Sequence, residues 1–97
     1  MTAARVRGFR RHMAACVKHF AGYASLRAGR DYHPADFSLR ELEETYLPPY
    51  RAAIAAGVDA VMCAYTPFDA EDATFSRFLC RTVLRGALGF RGLLMTD

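Results

Sequence analysis

Apolar and polar positions change their spacing several times along the chain, and each change marks a predicted element. In residues 3 to 12, Val6 and Phe9 stand among Arg5, Arg7, Arg10 and Arg11, which predicts a short amphipathic helix with its charged face in water. Met13 to Phe20 is a compact apolar run interrupted near its end by Lys18 and His19, the pattern of a strand buried on both faces with chemistry at its C-terminal end. From Ala21 to Phe37 the spacing dissolves around Gly22, Gly29 and Pro34, which reads as a long loop. Ser38 with Glu41 three residues on is a capping-box spacing. It opens a helix whose apolar positions are Leu39, Leu42, Tyr46, Tyr50 and Ile54. Pro48 and Pro49 should kink or re-start that helix, and Gly57 should end it. Val58 to Tyr65 predicts a second apolar strand, followed by an acidic loop with Asp69, Glu71 and Asp72. Thr74 or Ser76 can cap a third helix through Phe75, Phe78, Leu79, Val83 and Leu84, closed by Gly86 or Gly89. Gly92 to Asp97 predicts a third short strand that ends on a carboxylate.

This order is two consecutive βαβ units, so the expected fold is α/β with parallel strands. Lys18, His19, Tyr65 and Asp97 all fall at C-terminal strand ends, where α/β sheets and barrels collect their sites. At 97 residues the chain has room for one small domain, well short of the ~250 residues of a full α/β barrel. With 53% hydrophobic and 24% charged residues, it is packed rather than disordered. Its apolar runs are far shorter than the ~20 residues that cross a bilayer, so no membrane partner is expected. The arginine-rich start lacks the apolar core of a secretion signal, which favours a cytoplasmic over a secreted location. The net charge of +3 is concentrated before Lys18 and reads as a solvated helix face. A nucleic-acid interface would need a basic stripe interleaved with exposed aromatics, which this pattern lacks. Cys16, Cys63 and Cys80 are odd in number and widely spaced, so they are expected to be buried small apolar residues, with no metal site and no disulfide.

A cation and an imidazole can hold sugar or phosphate oxygens beside a carboxylate able to act as a nucleophile, which makes Lys18, His19, Tyr65 and Asp97 a candidate set. The phosphate-loop, dinucleotide, zincin and serine-hydrolase motifs are all missing, and no cofactor is implied.

Several runs in order carry a resemblance. They are Ala14-Ala-Cys-Val-Lys-His-Phe-Ala-Gly-Tyr23, Ala28-Gly-Arg-Asp-Tyr32, Glu43-Glu-Thr-Tyr-Leu-Pro-Pro-Tyr50, Ala60-Val-Met-Cys-Ala-Tyr65, Val83-Leu-Arg-Gly86, Gly89-Phe-Arg-Gly92 and Met95-Thr-Asp97. Together, from about Phe9 to Asp97, the chain resembles glycoside hydrolase family 3, above all its β-glucosidase and β-xylosidase branch. The resemblance implies a partial (β/α)8 TIM-like barrel of about three βα units, with residues 1–97 a fragment of the N-terminal barrel domain ending at the nucleophile strand. It implies retaining hydrolysis of terminal β-linked sugars through a covalent glycosyl-enzyme. Asp97 matches the nucleophile, while Lys18, His19 and Arg30 match residues that bind the terminal sugar. Tyr65 matches the tyrosine beside the nucleophile, with Met62 on the same strand beneath it. The implied substrate is a β-linked oligosaccharide or an aryl or alkyl β-glycoside.

The sequence also departs from that pattern. Thr66, Asp69, Ala70 and Asp72 replace an asparagine, Asn-Gly and proline pattern usual after the tyrosine strand; Ala24 and Arg27 replace a usual glycine and glutamate, and Leu88 a usual tryptophan. His33 stands where the branch usually has asparagine, and Asp31-Tyr-His33 has the form of the acid/base dyad of the family's N-acetylglucosaminidase branch, which is the alternative activity. The general acid/base, the other barrel strands and the α/β sandwich domain are not matched by any residues here. The chain is therefore expected to be inactive alone, with a non-catalytic carbohydrate-binding or interaction remnant as a further alternative.

Overall fold

The computed structural model describes residues 1–21, 38–65, 67–68 and 71–97, with no side-chain description at 67, 68 and 71. Past Ala21 the expected long loop, with Arg30, Asp31 and His33, lies outside the described residues, as do Thr66, Asp69 and Ala70. Helix α1 spans Thr2–Arg10, with Val6 buried and the arginines turned to solvent. Strands β1 (Cys16–Phe20), β2 (Ala60–Cys63) and β5 (Leu93–Met95) form one parallel sheet in the order β1-β2-β5. A short antiparallel pair, β3 (Pro67–Phe68) and β4 (Glu71–Asp72), occupies the segment that the sequence reads as an acidic loop.

Between β1 and β2 runs helix α2, continuous from Leu39 to Ala55 and built in three segments, Leu39–Glu41, Leu42–Tyr46 and Leu47–Ala55. Its start is the capping box that the Ser38 and Glu41 spacing predicts. The Glu41 amide donates to Ser38 Oγ at 3.2 Å, and the Ser38 amide donates to Glu41 Oε2 at 2.9 Å. The expected disturbance at Pro48 and Pro49 takes the form of a widened π-type turn over Leu42–Tyr46, which delivers the prolines to the first turn of the following α segment. There their fixed φ suits the first turn of an α segment. Gly57 ends α2 at φ +87°, a left-handed conformation suited to glycine. Its amide donates to the Ile54 carbonyl, and the Val58 amide to the Ala53 carbonyl, closing a Schellman motif.

Helix α3 (Phe78–Ala87) is wound as a π-helix throughout. The buried Ser76 accepts from the Leu79 amide, so Ser76 and not Thr74 caps it. Thr74 instead donates to the Ala64 carbonyl at 3.2 Å. Closure falls at Gly89, φ +69°, while Gly86 lies inside the helix. Arg85 then braces the turn into β5, donating to the Phe90 and Gly92 carbonyls at 3.1 and 2.8 Å with its guanidinium 5.1 Å from the centre of the Phe90 ring.

The core is a single cluster of Phe20, Leu42, Val61, Leu79 and Leu84 with smaller neighbours, between the helices and one face of the sheet. Val17, Val61 and Leu94 share a register level on that face. The other face is open: Cys16 and Lys18 are exposed, Met62 and Met95 half-buried, and Leu93 is 60% exposed. Two expectations are corrected here. The first strand is covered on its helix side only, since no described element packs on the opposite face. For the same reason Cys16 is exposed rather than buried, whereas Cys63 is buried and Cys80 half-buried, as expected of apolar-like cysteines.

At the N-terminal edge of the sheet, Asp59 joins all three strands. Its carboxylate accepts from the Ala15 amide at 2.9 Å and faces Arg10 Nε at 3.4 Å. Its amide donates to the Ala15 carbonyl and its carbonyl accepts from Leu93. The Ala15 amide foremost holds the Asp59 carboxyl below the usual carboxylate range; desolvation opposes this and the Arg10 charge adds to it.

Two predictions follow from this edge. A carboxyl depressed by folding stabilises the fold above its unfolded pKa and loses that contribution as pH falls through its folded value. Thermal melting of the protein should therefore decline more steeply between about pH 5 and pH 2 than that of Asp59→Asn, and parallel curves would refute the role given to Asp59. A Cβ on Gly92 would stand 2.3 Å from the Asp59 carbonyl oxygen and 2.7 Å from the Phe90 ring. Chemical denaturation of Gly92→Ala should show a loss of about 2 kcal/mol or more.

Candidate active site

Each sheet strand carries candidate residues to the C-terminal edge. Lys18, Met62 and Met95 lie at one level across the three strands. Past Lys18 the pairing of β1 slips, so that Phe20 rather than His19 stands opposite Cys63. Such a bulge re-aims a side chain, and here His19 meets the end of the third strand: Nε2 lies 3.5 Å from Asp97 Oδ2. That separation is at the outer limit of a hydrogen bond. Tyr65, two residues beyond β2, donates its hydroxyl to the main-chain oxygen of Asp97. Thus His19, Tyr65 and Asp97 converge, while Lys18 and Met62 sit one level below on the open face. Arg30 lies outside the described residues.

A further residue holds the site from beneath. Tyr50, on α2 and only 7% exposed, donates its hydroxyl to the His19 carbonyl at 2.5 Å. Its ring packs edge-on against Phe20, with centroids 5.0 Å apart. Burial pushes the phenol well above its ordinary pKa, so it remains a donor. Sequence reasoning used Tyr50 only as an apolar helix position. The available signal was that a buried tyrosine hydroxyl requires a partner. The Ala64 amide completes the support, donating to the Phe20 carbonyl at 2.6 Å and tying the end of β2 to that of β1.

A groove of about 600 Å³ runs beside the site between α1, β1 and α2, with Arg5, Val6, Phe9, Lys18, His19 and Tyr50 among its walls. Among the described residues no group of three or more His, Cys, Asp and Glu lies close enough to hold a metal ion. No described helix is long and apolar enough to cross a membrane. The chemistry on hand is a carboxylate open enough to meet a ligand, flanked by an imidazole and a phenol, with an ammonium on the adjoining level. Such a set can hold sugar or phosphate oxygens beside a carboxylate able to act as a nucleophile.

Comparison with known proteins identifies the family of the chain. The profile of the glycosyl hydrolase family 3 N-terminal domain matches residues 1–97. The chain is 40% identical over 81 residues to a periplasmic β-glucosidase of Salmonella typhimurium, covering 84% of the chain and 11% of that protein. It is 46% identical over 93 residues to a β-hexosaminidase of Tolumonas auensis, covering 88% of the chain and 27% of that protein. Among solved structures, a Listeria innocua β-glucosidase in complex with glucose superposes with a TM-score of 0.86 at 45% identity, over 98% of the chain and 13% of its own length. The chain thus spans a minor part of each relative, and over that part it shares both sequence and fold. This chain belongs to glycosyl hydrolase family 3, within the family's N-terminal domain.

Proposed function

We propose that residues 1–97 form three βα units of the barrel of a retaining β-glycosidase and carry its nucleophile. The observation behind this reading is the convergence of His19, Tyr65 and Asp97 at one strand edge in a chain of this family. In the proposed reaction Asp97 attacks the anomeric carbon of a terminal β-linked sugar, forming a carbon–oxygen ester bond as the bond to the leaving oxygen breaks. The leaving oxygen takes its proton from an acid outside the matched residues of this chain, and water later cleaves the ester with net retention. Lys18, His19 and Arg30 hold hydroxyls of the sugar, and charged donors reward those hydroxyls for leaving water. Tyr65 orients the nucleophile and Met62 forms part of the floor. The remaining barrel strands and the α/β sandwich domain supply the rest of the pocket. The names of the relatives support glucose as the leading sugar.

The complete protein carrying this chain, treated with a 2-deoxy-2-fluoro-β-glucoside, should gain one sugar on Asp97 by peptide mass mapping. Sugar bound without labelling would support a non-catalytic remnant, and labelling of another carboxylate would sink the assignment. Asp97→Asn should lower kcat by about 10⁴-fold. Loss of one charged hydrogen bond in Lys18→Ala should lower kcat/KM by about 10- to 100-fold.

The β-hexosaminidase relative and the Asp31-Tyr-His33 motif favour N-acetyl-β-glucosaminidase activity as a second reading. The ratio of kcat/KM on aryl β-glucoside and aryl N-acetyl-β-glucosaminide decides between the two.

A further inference from the structure

Cysteines that look unrelated in sequence meet in the fold. Cys63 ends β2 and Cys80 lies in the first turn of α3, 17 residues later, and their sulfurs are 3.9 Å apart with both thiols free. The Cys80 thiol lies within reach of the Ala73 and Thr74 carbonyls at 3.5 and 3.8 Å, either of which can accept its single proton while the sulfur stays beside Cys63. The two differ in access: Cys80 is half-buried, while Cys63 is 2% exposed. Burial foremost, with Cys80 alongside, pushes the Cys63 thiol up to about 12, which makes Cys63 a poor first nucleophile.

We propose that Cys63 and Cys80 are a disulfide-forming pair, closed by exchange with a small-molecule disulfide such as oxidised glutathione. In the first step the Cys80 thiolate attacks one sulfur of that disulfide, forming a mixed disulfide and releasing one glutathione thiolate. In the second, the Cys63 sulfur attacks Cys80 Sγ, forming the internal bond and expelling the second glutathione, which carries away the Cys63 proton. The two protein thiols are oxidised and one glutathione disulfide is reduced to two thiols. The sulfurs need to close from 3.9 Å to about 2.05 Å for the bond to form. The bond would staple α3 to β2 directly below the candidate site. Cys63 is opposite Phe20 in the sheet, Phe20 packs on Tyr50, and Tyr50 holds the His19 carbonyl.

The test uses the complete natural protein with Cys16→Ser, which removes the exposed third thiol of this chain. It is incubated without denaturant in excess oxidised glutathione, blocked with N-ethylmaleimide and mapped by peptide mass. A Cys63–Cys80 cross-linked peptide with no glutathione retained at Cys80 is the expected result. Adding Cys63→Ser should leave a stable glutathione adduct at Cys80, since the resolving thiol is gone, whereas adding Cys80→Ser should leave Cys63 unmodified. Both thiols blocked by maleimide after oxidation, or a lasting adduct at Cys80 with Cys63 present, would overturn the proposal.

Discussion

One aspartate sets the starting line of the sheet. The carboxylate, amide and carbonyl of Asp59 reach Ala15 before β1 and Leu93 in β5, and the residue itself leads into β2. Three strands distant in sequence are thereby fixed at a common origin at one edge, and parallel pairing carries that alignment residue by residue to the other edge. The positions of His19, Tyr65 and Asp97 relative to one another follow from that origin. The glycine at 92 belongs to the same constraint, because only a residue without Cβ lets the chain pass so close to the Asp59 carbonyl.

The opposite edge is held differently. There the Ala64 amide ties the end of β2 to that of β1, and side chains add to it, with Tyr65 on Asp97, His19 facing Asp97 and Tyr50 beneath His19. Conserving the alignment at one end and gathering polar side chains at the other divides the labour between stability and chemistry, as parallel α/β sheets commonly do. The apolar contact of Phe20 with Tyr50 seals the floor of the polar edge and keeps the supporting hydrogen bond out of water.

Much of this was legible in the chain. The capping box at Ser38, the stop at Gly57, the three sheet strands and the edge on which Lys18, His19, Tyr65 and Asp97 gather all follow from local spacing and turn chemistry. What escaped depends on tertiary packing. Whether β1 is covered on one face or two depends on neighbours that periodicity within the strand does not encode, so the exposure of Cys16 was misread. The approach of Cys63 to Cys80 needs the crossover geometry of α3 over β2, which a spacing of 17 residues does not reveal. Thr74 and Ser76 are equivalent as caps on paper, and only the carbonyl of Ala64 near Thr74 separates their roles.

The widened turn of α2 has a geometric effect on the site. In an α-helix, five residues advance the side-chain direction by about 500°, which would leave Leu47 some 140° around the axis from Leu42. Yet Leu42, Leu47, Tyr50 and Ala53 are all buried. The π-type turn absorbs the surplus residue and restores the phase of the buried stripe. Pro48 and Pro49, which belong at a helix start, thus mark where the helix is re-phased. The azimuth at which Tyr50 meets the His19 carbonyl is therefore set one turn upstream, where the helix widens.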